Sequence, residues 1–293
     1  MKSYHDIATD GGSGVASQVA DQESRLLERL ARIDHVVAVM SGKGGVGKSM
    51  TTVLLATTLA QKGLSVGIVD ADINGASQVK MTGIARQIDV GDDGVSPART
   101  ESGVEVMSID LFLDEGSAVR WSAVTERSTF TWRGMVEVAA IREMLADTAW
   151  SKLDVLFIDL PPGTDKLPNL LDLVPTLSAA IVVSIPSEVS SYVVNKSVSI
   201  ARESLQGKPI MLIENMTEFV CPNCHEVHKL FESSADGPTL DVDSIGRIPF
   251  DPSLSRTIDQ GMTFDSVSGS TATAAALRTT ADKLLEELVK PQI

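Results

Sequence analysis

Apolar residues occur along the chain in short runs that alternate with longer segments in which apolar positions recur at helical spacing. The runs are six or seven residues long and apolar on both faces, which is typical of strands buried inside a parallel sheet. The segments between them can supply the helices that connect parallel strands. The pattern predicts an α/β fold: a doubly wound, mainly parallel sheet flanked by helices. The predicted strands are HVVAVM (35–40), SVGIVD (65–70), VEVMSID (104–110), LDVLFID (153–159), AAIVVSI (179–185), PIMLIEN (209–215) and IGRIPF (245–250).

The two ends of the chain depart from this alternation. We expect residues 1–32 to form a flexible extension, disordered up to about residue 17, with a short helix after it, and residues 33–293 to form one domain. The apolar positions of the short helix are Val19, Leu26, Leu27, Leu30 and Ile33. Near the other end an amphipathic helix with balanced charges is predicted to pack on the domain and not to anchor in a membrane. Its apolar positions are Leu277, Ala281, Leu284, Leu285 and Leu288.

Two stretches show no clear periodicity. Residues 88–102, IDVGDDGVSPARTES, are predicted to be an exposed acidic loop. Residues 110–131 are predicted to be irregular, and their sequence suggests no function of its own.

Composition narrows the class of protein. The chain has 293 residues with 43% hydrophobic content, enough for one large domain, and no apolar stretch is long enough to span a bilayer. Its formal net charge of −14 opposes attraction to nucleic acid and to anionic lipid, so neither is expected as a partner. The N-terminus lacks the basic and apolar blocks of a secretory signal, which favours a cytoplasmic protein. Both of the 2 Cys lie in one C-x-x-C, so a disulfide framework is not expected.

A glycine-rich loop follows the first predicted strand. In VMSGKGGVGKSMTT (39–52) the phosphate-binding pattern G-x-x-x-x-G-K-[ST] is satisfied by Gly42, Gly47, Lys48 and Ser49. A helix is predicted directly after it, over residues 49–61, so strand, loop and helix stand in the order that this motif requires.

The loop chemistry suits a nucleoside triphosphate. Backbone N–H groups and the helix N-terminus can surround a polyphosphate, Lys48 can neutralise its charge, and the Ser49 hydroxyl can bind Mg²⁺. We expect Lys48 to be exposed, so that Lys48→Ala would leave the fold intact. The motif does not explain a second lysine, Lys43. The predicted nucleotide contacts in the loop are Gly42, Gly44, Gly45, Val46, Gly47, Lys48, Ser49 and Met50.

Two further motifs place carboxylates where predicted strands end. DADINGAS contains Asp70 and Asp72, and FIDLPPGTD contains Asp159 and Gly163. A nucleoside triphosphatase needs a carboxylate near magnesium and a backbone N–H that senses the γ-phosphate, and these loops could provide both. For Asp70, a helix cap or a turn residue is the simpler interpretation.

The last motif is a metal-binding candidate, ENMTEFVCPNCHEVHKLF, with its C-x-x-C loop near residues 217–231. Cys221 and Cys224 suit a soft metal or an iron–sulfur cluster, and a redox dithiol is less well supported. Zinc is an alternative, with His225 and His228 as further ligands, although their spacing is unlike that of zinc fingers. Two thiolates are too few for a tetrahedral zinc or a cubane, and a two-fold dimer would bring four together.

The four motifs together are specific enough to suggest a family. KGGVGKS, DADINGAS, FIDLPPGT and ENMTEFVCPNC, with the shorter TWRGM (131–135) and IPFDP (248–252), resemble the Mrp/ApbC family of iron–sulfur cluster carrier ATPases over most of residues 33–265. That family is more distantly related to MinD, ParA and the nitrogenase iron protein. The resemblance implies a slow ATP hydrolase. It also implies a homodimer, formed through the nucleotide face and the C-x-x-C loop, that carries a [4Fe-4S] cluster to apoprotein clients.

The resemblance also implies roles for single residues. Lys43 would reach across the dimer to the partner's nucleotide, and Asp72 would position the attacking water. Asp159 would lie near magnesium, Gly163 at the γ-phosphate, and Asn215 at the adenine edge. Cys221 and Cys224 would be the cluster ligands.

The chain departs from the family pattern at four positions, and this bears on nucleotide affinity and turnover. Met50 replaces a hydroxyl residue that would contact the α-phosphate. Asn74 and Ala76 replace Tyr and Pro, and Asp165 replaces Gly or Ser.

Two other functions remain open at this stage. A MinD/ParA-type positioning ATPase would share the nucleotide loop and would need a surface for membrane or DNA. A nucleotide-dependent regulator of a partner enzyme would instead use the C-x-x-C for structural zinc. Metal content separates that regulator from a carrier.

Overall fold

The computed structural model describes residues 15–113, 129–221, 224, 226–231, 241–261 and 271–290. Its strands are β1 Ile33–Met40, β2 Val66–Asp70, β3 Val90–Gly91, β4 Gly94–Val95, β5 Ala98–Arg99, β6 Glu105–Ser108, β7 Leu153–Asp159, β8 Ala179–Ser184, β9 Ile210–Val220, β10 Val227–Lys229 and β11 Ser244–Phe250. Its α-helices are α1 Val15–Leu30, α2 Lys48–Gln61, α3 Gln78–Thr82, α4 Thr129–Ala146, α5 Lys166–Leu173, α6 Glu188–Leu205, α7 Pro252–Asp259 and α8 Ala272–Val289.

Strand β1 lies at the centre of a mainly parallel sheet. The described strands follow the order β10-β9-β8-β1-β7-β2-β6-β5, and β11 pairs with β9. Among the described strands of this sheet, only the short outer strands β5 and β10 are antiparallel to their neighbours. The predicted doubly wound fold is confirmed. Because β1, β2, β7, β8 and β9 are parallel, the loops that follow them leave the sheet at one edge, where ligands of such sheets bind.

Helices cover both faces of the sheet. The side chains of β1 alternate between two buried clusters, with Ala38 and Met40 in one and Val37 and Val39 in the other. The first cluster includes apolar residues of α1, α4, α5 and α6. The second includes apolar residues of α2, α7 and α8.

The predicted strands agree with the observed ones to within two residues at each end, except at β9; the strand predicted over 104–110 ends at Ser108, where a 3-10 helix over Ile109–Phe112 follows. Strand β9 continues to Val220, five residues beyond the predicted end, although its second half is rich in polar residues. Pairing with β10 and β11 supplies the hydrogen bonds that extend it.

The prediction that residues 88–102 form only a loop was wrong. They contain a β3–β4 hairpin and the edge strand β5, which are each two residues long and mostly solvent-facing, so they have no apolar signature. Helix α4 begins at Thr129, inside the stretch that was predicted to be irregular, and residues 114–128 lie outside the described part of the chain.

Helices at both ends pack on the sheet. Leu26 and Leu30 of α1 are buried in the first cluster, and the N-terminal residues 1–14 lie outside the described part. Helix α8 buries the apolar face that its sequence predicted, which confirms that it packs on the domain. Its buried apolar residues are Ala274, Leu277, Ala281, Leu284 and Leu288. None of the described helices is long and apolar enough to cross a membrane.

Candidate functional site

The glycine loop connects β1 to α2 and is closely packed from two sides. Gly45 and Gly47 have left-handed φ angles of 80° and 82°, which glycine adopts without steric cost. A Cβ at Gly42 would lie 2.0 Å from Val193 Cγ1 on α6, and one at Gly47 would lie 2.3 Å from Asn215 Nδ2. The absence of a side chain at the glycines therefore permits both the left-handed turns of the loop and its close contact with neighbouring elements.

Lys48 is buried, so the prediction of an exposed lysine was wrong. Only 7% of Lys48 is exposed, and its Nζ donates to Asp159 Oδ1 at 2.7 Å and to Ser49 Oγ at 3.3 Å. The reason lies in the sheet register: β7 is next to β1, and Val39 is opposite Asp159. The strand-end carboxylate thus supplies the anion that a buried ammonium needs.

Asp159 is fully buried and hydrogen-bonded through both carboxylate oxygens. Oδ1 accepts from Lys48 and from Thr52 Oγ1 at 3.2 Å, and Oδ2 accepts from Gln78 Nε2 at 2.8 Å. Neither Thr52 nor Gln78 was predicted from the sequence to belong to the site. Thr52 stands four residues after Lys48 and therefore on the same helix face, which is a usable signal. The sequence contains no comparable signal that Gln78 belongs to the site.

Gln78 connects three parts of the site. Besides Asp159, its Nε2 also approaches the backbone oxygen of Ser49 at 3.5 Å, and the residue is 0% exposed. Because both neighbours of Nε2 are acceptors, the orientation of the amide is determined by chemistry. Its Oε1 has no hydrogen-bond partner within the described residues. The side chain thereby ties α3 to the glycine loop and to Asp159.

Asp70 has the capping role that was the simpler interpretation of its sequence. Its Oδ2 accepts from the backbone N–H groups of Ser77 and Gln78, at 3.0 and 3.2 Å, where α3 begins, and from Ser108 Oγ at 3.2 Å. The pKa of Asp70 is raised to about 7. Burial is the larger cause, and the Asp159 carboxylate opposite it on β7 is the second. Asp70 therefore stabilises the start of α3.

Asp72 lies in the loop after β2 and faces the same group of charges. Burial raises the pKa of this half-buried carboxyl, Lys48 opposes the rise, and Asp159 and Glu137 add to it. Its carboxylate lies against Gly75. Asp72, Lys48 and Asp159 are thus brought within electrostatic reach of one another.

The loop after β7 contacts the glycine loop through its backbone. The N–H of Gly163 donates to the Ser41 carbonyl at 2.9 Å, and Gly163 has a φ of 129° that favours glycine. Asp165 follows in the same loop and is largely exposed. In the glycine loop, Lys43 is partly exposed and Met50 partly buried.

Asn215 joins β9 to the glycine loop. The side chain is 1% exposed, and its Nδ2 donates to the Val46 carbonyl at 2.9 Å. Its Oδ1 has no partner among the described residues and remains available as an acceptor. Met216, the next residue, has a left-handed φ of 55°, a conformation that costs a side-chain-bearing residue about 1 to 2 kcal/mol.

The C-x-x-C lies at the tip of the β9–β10 hairpin. Val220 is paired with Val227 and Phe219 with His228, and the Cys221 N–H donates to the Glu226 carbonyl at 3.0 Å. Cys221 is partly exposed, Cys224 is exposed, and no disulfide joins them.

The described residues of the hairpin do not test the full zinc site that was the alternative, because one of its four ligands lies outside them. In the part of the chain that the structure describes, no three His, Cys, Asp or Glu side chains are grouped so that they could hold a metal ion. His228 stacks on Phe219, with ring centroids 6.4 Å apart. His225, the remaining predicted ligand, lies outside the described residues.

A strand, a glycine loop, a helix that begins at its lysine, and aspartates at neighbouring strand ends define a P-loop nucleotide-binding protein. The family model described as ParA: NUBPL iron-transfer P-loop NTPase matches residues 32–285. The chain belongs to this family, which confirms the resemblance drawn from the motifs.

Characterised relatives and solved structures agree with this assignment. An iron-sulfur cluster carrier protein of Saccharolobus solfataricus is 35% identical, over 93% of this chain and 90% of its own. The cytosolic Fe-S cluster assembly factor NBP35 of Kluyveromyces lactis is 35% identical, over 85% and 77%. A nucleotide-binding protein of Archaeoglobus fulgidus, solved with ADP, is 34% identical with a TM-score of 0.68, over 83% of this chain and 93% of its own. MinD of Pyrococcus horikoshii, at 19% identity and a TM-score of 0.57 over 85% and 95%, shares the fold.

Proposed function

We propose that the protein is an ATP-dependent iron–sulfur cluster carrier, which hydrolyses ATP with Mg²⁺ and, as a homodimer, transfers a [4Fe-4S] cluster to apoproteins. One observation carries this proposal: the same strand, β9, contacts the nucleotide loop at Asn215 and ends at Val220, directly before Cys221. The names of the relatives support it, and those that are called cytosolic favour a cytoplasmic location.

The nucleotide half of the proposal begins with an exchange of partners at Lys48. ATP phosphates would take the ammonium that Asp159 now holds, and Thr52 and Gln78 would keep the buried carboxylate hydrogen-bonded. Ser49 and Asp159 would then hold magnesium and its water shell.

The remaining groups around the nucleotide have separate proposed tasks. Asp72 would position the attacking water, and the Gly163 N–H would exchange its bond to the Ser41 carbonyl for one to the γ-phosphate. The open Oδ1 of Asn215 would accept from the exocyclic amine of adenine. Lys43 of each copy would neutralise charge on its partner's nucleotide, and turnover would then require the dimer.

The cluster half depends on a second copy of the chain. Each hairpin tip offers Cys221 and Cys224, and a cubane needs four thiolates. Two hairpins related by a two-fold axis would supply these ligands at the dimer interface. Cys224 is exposed in the single chain. This agrees with the proposal, because a ligand shared with a partner copy has to lie on the surface of each chain.

Strand β9 gives the two halves a physical connection. Cys221 follows Asn215 by six positions, so at most about 20 Å of extended chain separates them. Met216 lies in this stretch, in its strained left-handed conformation. A shift of the glycine loop on nucleotide exchange would be transmitted through the Asn215 contact to the hairpin.

Anaerobic reconstitution with iron and sulfide tests the carrier function. We expect about four iron and four sulfide per dimer, with visible charge-transfer absorbance. Cys221→Ser or Cys224→Ser should abolish that absorbance and leave nucleotide affinity unchanged. His228→Ala is the matched control on the same hairpin and should retain the cluster. A monomer with one zinc that is lost in His228→Ala would contradict the carrier and support the regulator.

Mixing two inactive variants tests the proposed dimer. Lys43→Ala should bind nucleotide and lose hydrolysis, and Asp72→Ala should lose hydrolysis as well. If Lys43 acts across the interface, a heterodimer has one site with both groups intact, so activity should return on mixing. Absence of recovery in a mixture shown to contain heterodimers would refute the role in trans.

A further inference from the structure

Glu137 of α4 lies between the two loops that flank the glycine loop. Its Oε1 accepts from Asn74 Nδ2 at 2.8 Å, and its Oε2 accepts from Lys166 Nζ at 3.2 Å. The Glu137 side chain is 14% exposed. One carboxylate is therefore hydrogen-bonded on each side to a different loop.

The two partners stand close to the residues with proposed roles in hydrolysis. Asn74 follows Asp72 by two positions, in the loop after β2. Lys166 is the first residue of α5 and follows Gly163 by three positions, in the loop after β7. A displacement of either loop must move or break one of the two hydrogen bonds at Glu137.

The ion pair between Lys166 and Glu137 is partly shielded from solvent. Lys166 is 27% exposed, so its ion pair with Glu137 is screened less than a fully solvated pair. Lys166 is also 3.9 Å from Asp165, in the loop it closes. Burial is the main cause of the raised pKa of Asp72, and the nearby Glu137 charge adds a minor contribution. The carboxylate thus acts on the loop after β2 both through a hydrogen bond and through its charge.

We propose that Glu137 is a positioning residue that couples the two loops, so that Asp72 and the Gly163 N–H reach the terminal phosphate together. This inference rests on the proposed ATP hydrolysis. The alternative is a structural contact that only holds α4 in place. Coupling predicts a loss specific to the triphosphate state, whereas a structural contact affects stability and leaves nucleotide discrimination unchanged.

The first test compares Glu137→Ala with Glu143→Ala, an exposed glutamate on the same helix. In Glu137→Ala we expect kcat for ATP hydrolysis to fall about tenfold or more, with a smaller, several-fold rise in KM. Glu137→Gln keeps the shape, can still accept from Asn74, and loses the charge facing Lys166, so it should be intermediate. Glu143→Ala should match wild type. Wild-type kcat in Glu137→Ala would overturn the proposal.

A second measurement does not depend on turnover. Titration calorimetry should show that Glu137→Ala weakens a non-hydrolysable ATP analogue several-fold and leaves ADP affinity unchanged, because only the analogue presents the third phosphate. Equal losses for both nucleotides would indicate a structural role. Analogue binding without hydrolysis by wild type would count against the proposed ATPase and still test Glu137.

A double-mutant cycle tests the coupling itself. Asn74→Ala and Lys166→Ala should have non-additive effects on analogue affinity in the wild-type background, since each breaks the same link. In the Glu137→Ala background the two effects should become independent. Coupling that persists without Glu137 would assign the link to other residues.

Discussion

The glycine loop and the C-x-x-C hairpin share strand β9 but differ in what one chain supplies to them. Around the loop, Lys48, Asp159 and Gln78 are buried, and both Lys48 and Gln78 donate hydrogen bonds to Asp159. At the hairpin tip the described side chains are mostly exposed, and they form no metal-binding group. The first site is organised before its ligand arrives. The second has two thiols in one chain, and under the proposed function a second copy would complete the cluster site.

The largest effect should follow removal of the Lys48 ammonium. Lys48→Ala should weaken ATP about 100-fold, because charge-assisted hydrogen bonds to phosphate are lost. It should also lower the free energy of unfolding by about 3 to 5 kcal/mol, since Asp159 becomes a buried charge without its cation. Calorimetric titration and denaturant unfolding measure the two effects.

Two variants separate these consequences of the Lys48 substitution. Lys48→Ala combined with Asp159→Asn removes both charges and should recover much of the stability without recovering nucleotide affinity. Lys62→Ala, near the other end of α2, breaks an exposed pair with Asp282 and should cost less than about 1 kcal/mol. Equal destabilisation by Lys48→Ala and Lys62→Ala would remove the contrast between a buried and a solvated pair.

The next effect is a pH dependence due to Asp70. Its ordinary pKa of 3.8 is raised to about 7 in the folded chain by burial and by Asp159. Between these values the unfolded chain releases the proton and the folded chain keeps it. Stability should therefore fall with rising pH, by up to roughly 1.4 kcal/mol per pH unit from this group.

Asp70→Asn should remove this contribution. Urea unfolding of both proteins from pH 4 to pH 8 gives the difference in unfolding free energy, which should grow up to about pH 7 and then level off, because above that pH the Asp70 carboxyl is deprotonated in both the folded and the unfolded chain. Parallel pH profiles for the two proteins would show that Asp70 does not carry the raised pKa.

A smaller effect is expected from packing at the loop. Gly42→Ala would bring a Cβ to 2.0 Å from Val193 Cγ1, and a valine on a helix has little rotamer freedom with which to yield. We expect the free energy of unfolding, measured by thermal unfolding without nucleotide, to fall by about 1 to 3 kcal/mol. Gly44→Ala is the matched control, because no atom lies within 4 Å of the added carbon. Similar unfolding temperatures for the two variants would contradict tight packing at Gly42.

The sequence predicts elements and motifs better than it predicts the contacts between them. The strand at 153–159 and the residues Lys48 and Asp159 follow from pattern, because each depends on its own neighbours in the chain. The burial of Lys48 depends on β7 lying beside β1, a relation between distant segments. Gln78 reaches Asp159 from 81 positions away, and Glu137 belongs to no motif. Polar residues hid the second half of β9, since its pairing with β10 and β11 is not a local property.

The smallest effects should occur at the hairpin of a single chain. His228 is about half exposed and packs on one face of Phe219, and Cys224 is exposed. His228→Ala and Cys224→Ser should each change the free energy of unfolding by less than about 0.5 kcal/mol in the metal-free protein, since neither removes a buried group. Nucleotide affinity should match wild type in both. Denaturant unfolding of metal-free protein, followed by the same measurement after anaerobic reconstitution, completes the test. With cluster bound, wild type should gain stability because ligand binding favours the folded dimer, and Cys224→Ser should gain none. A large loss in the metal-free variants would mean that the hairpin is part of the packed domain, and the contrast between the two regions would then be wrong.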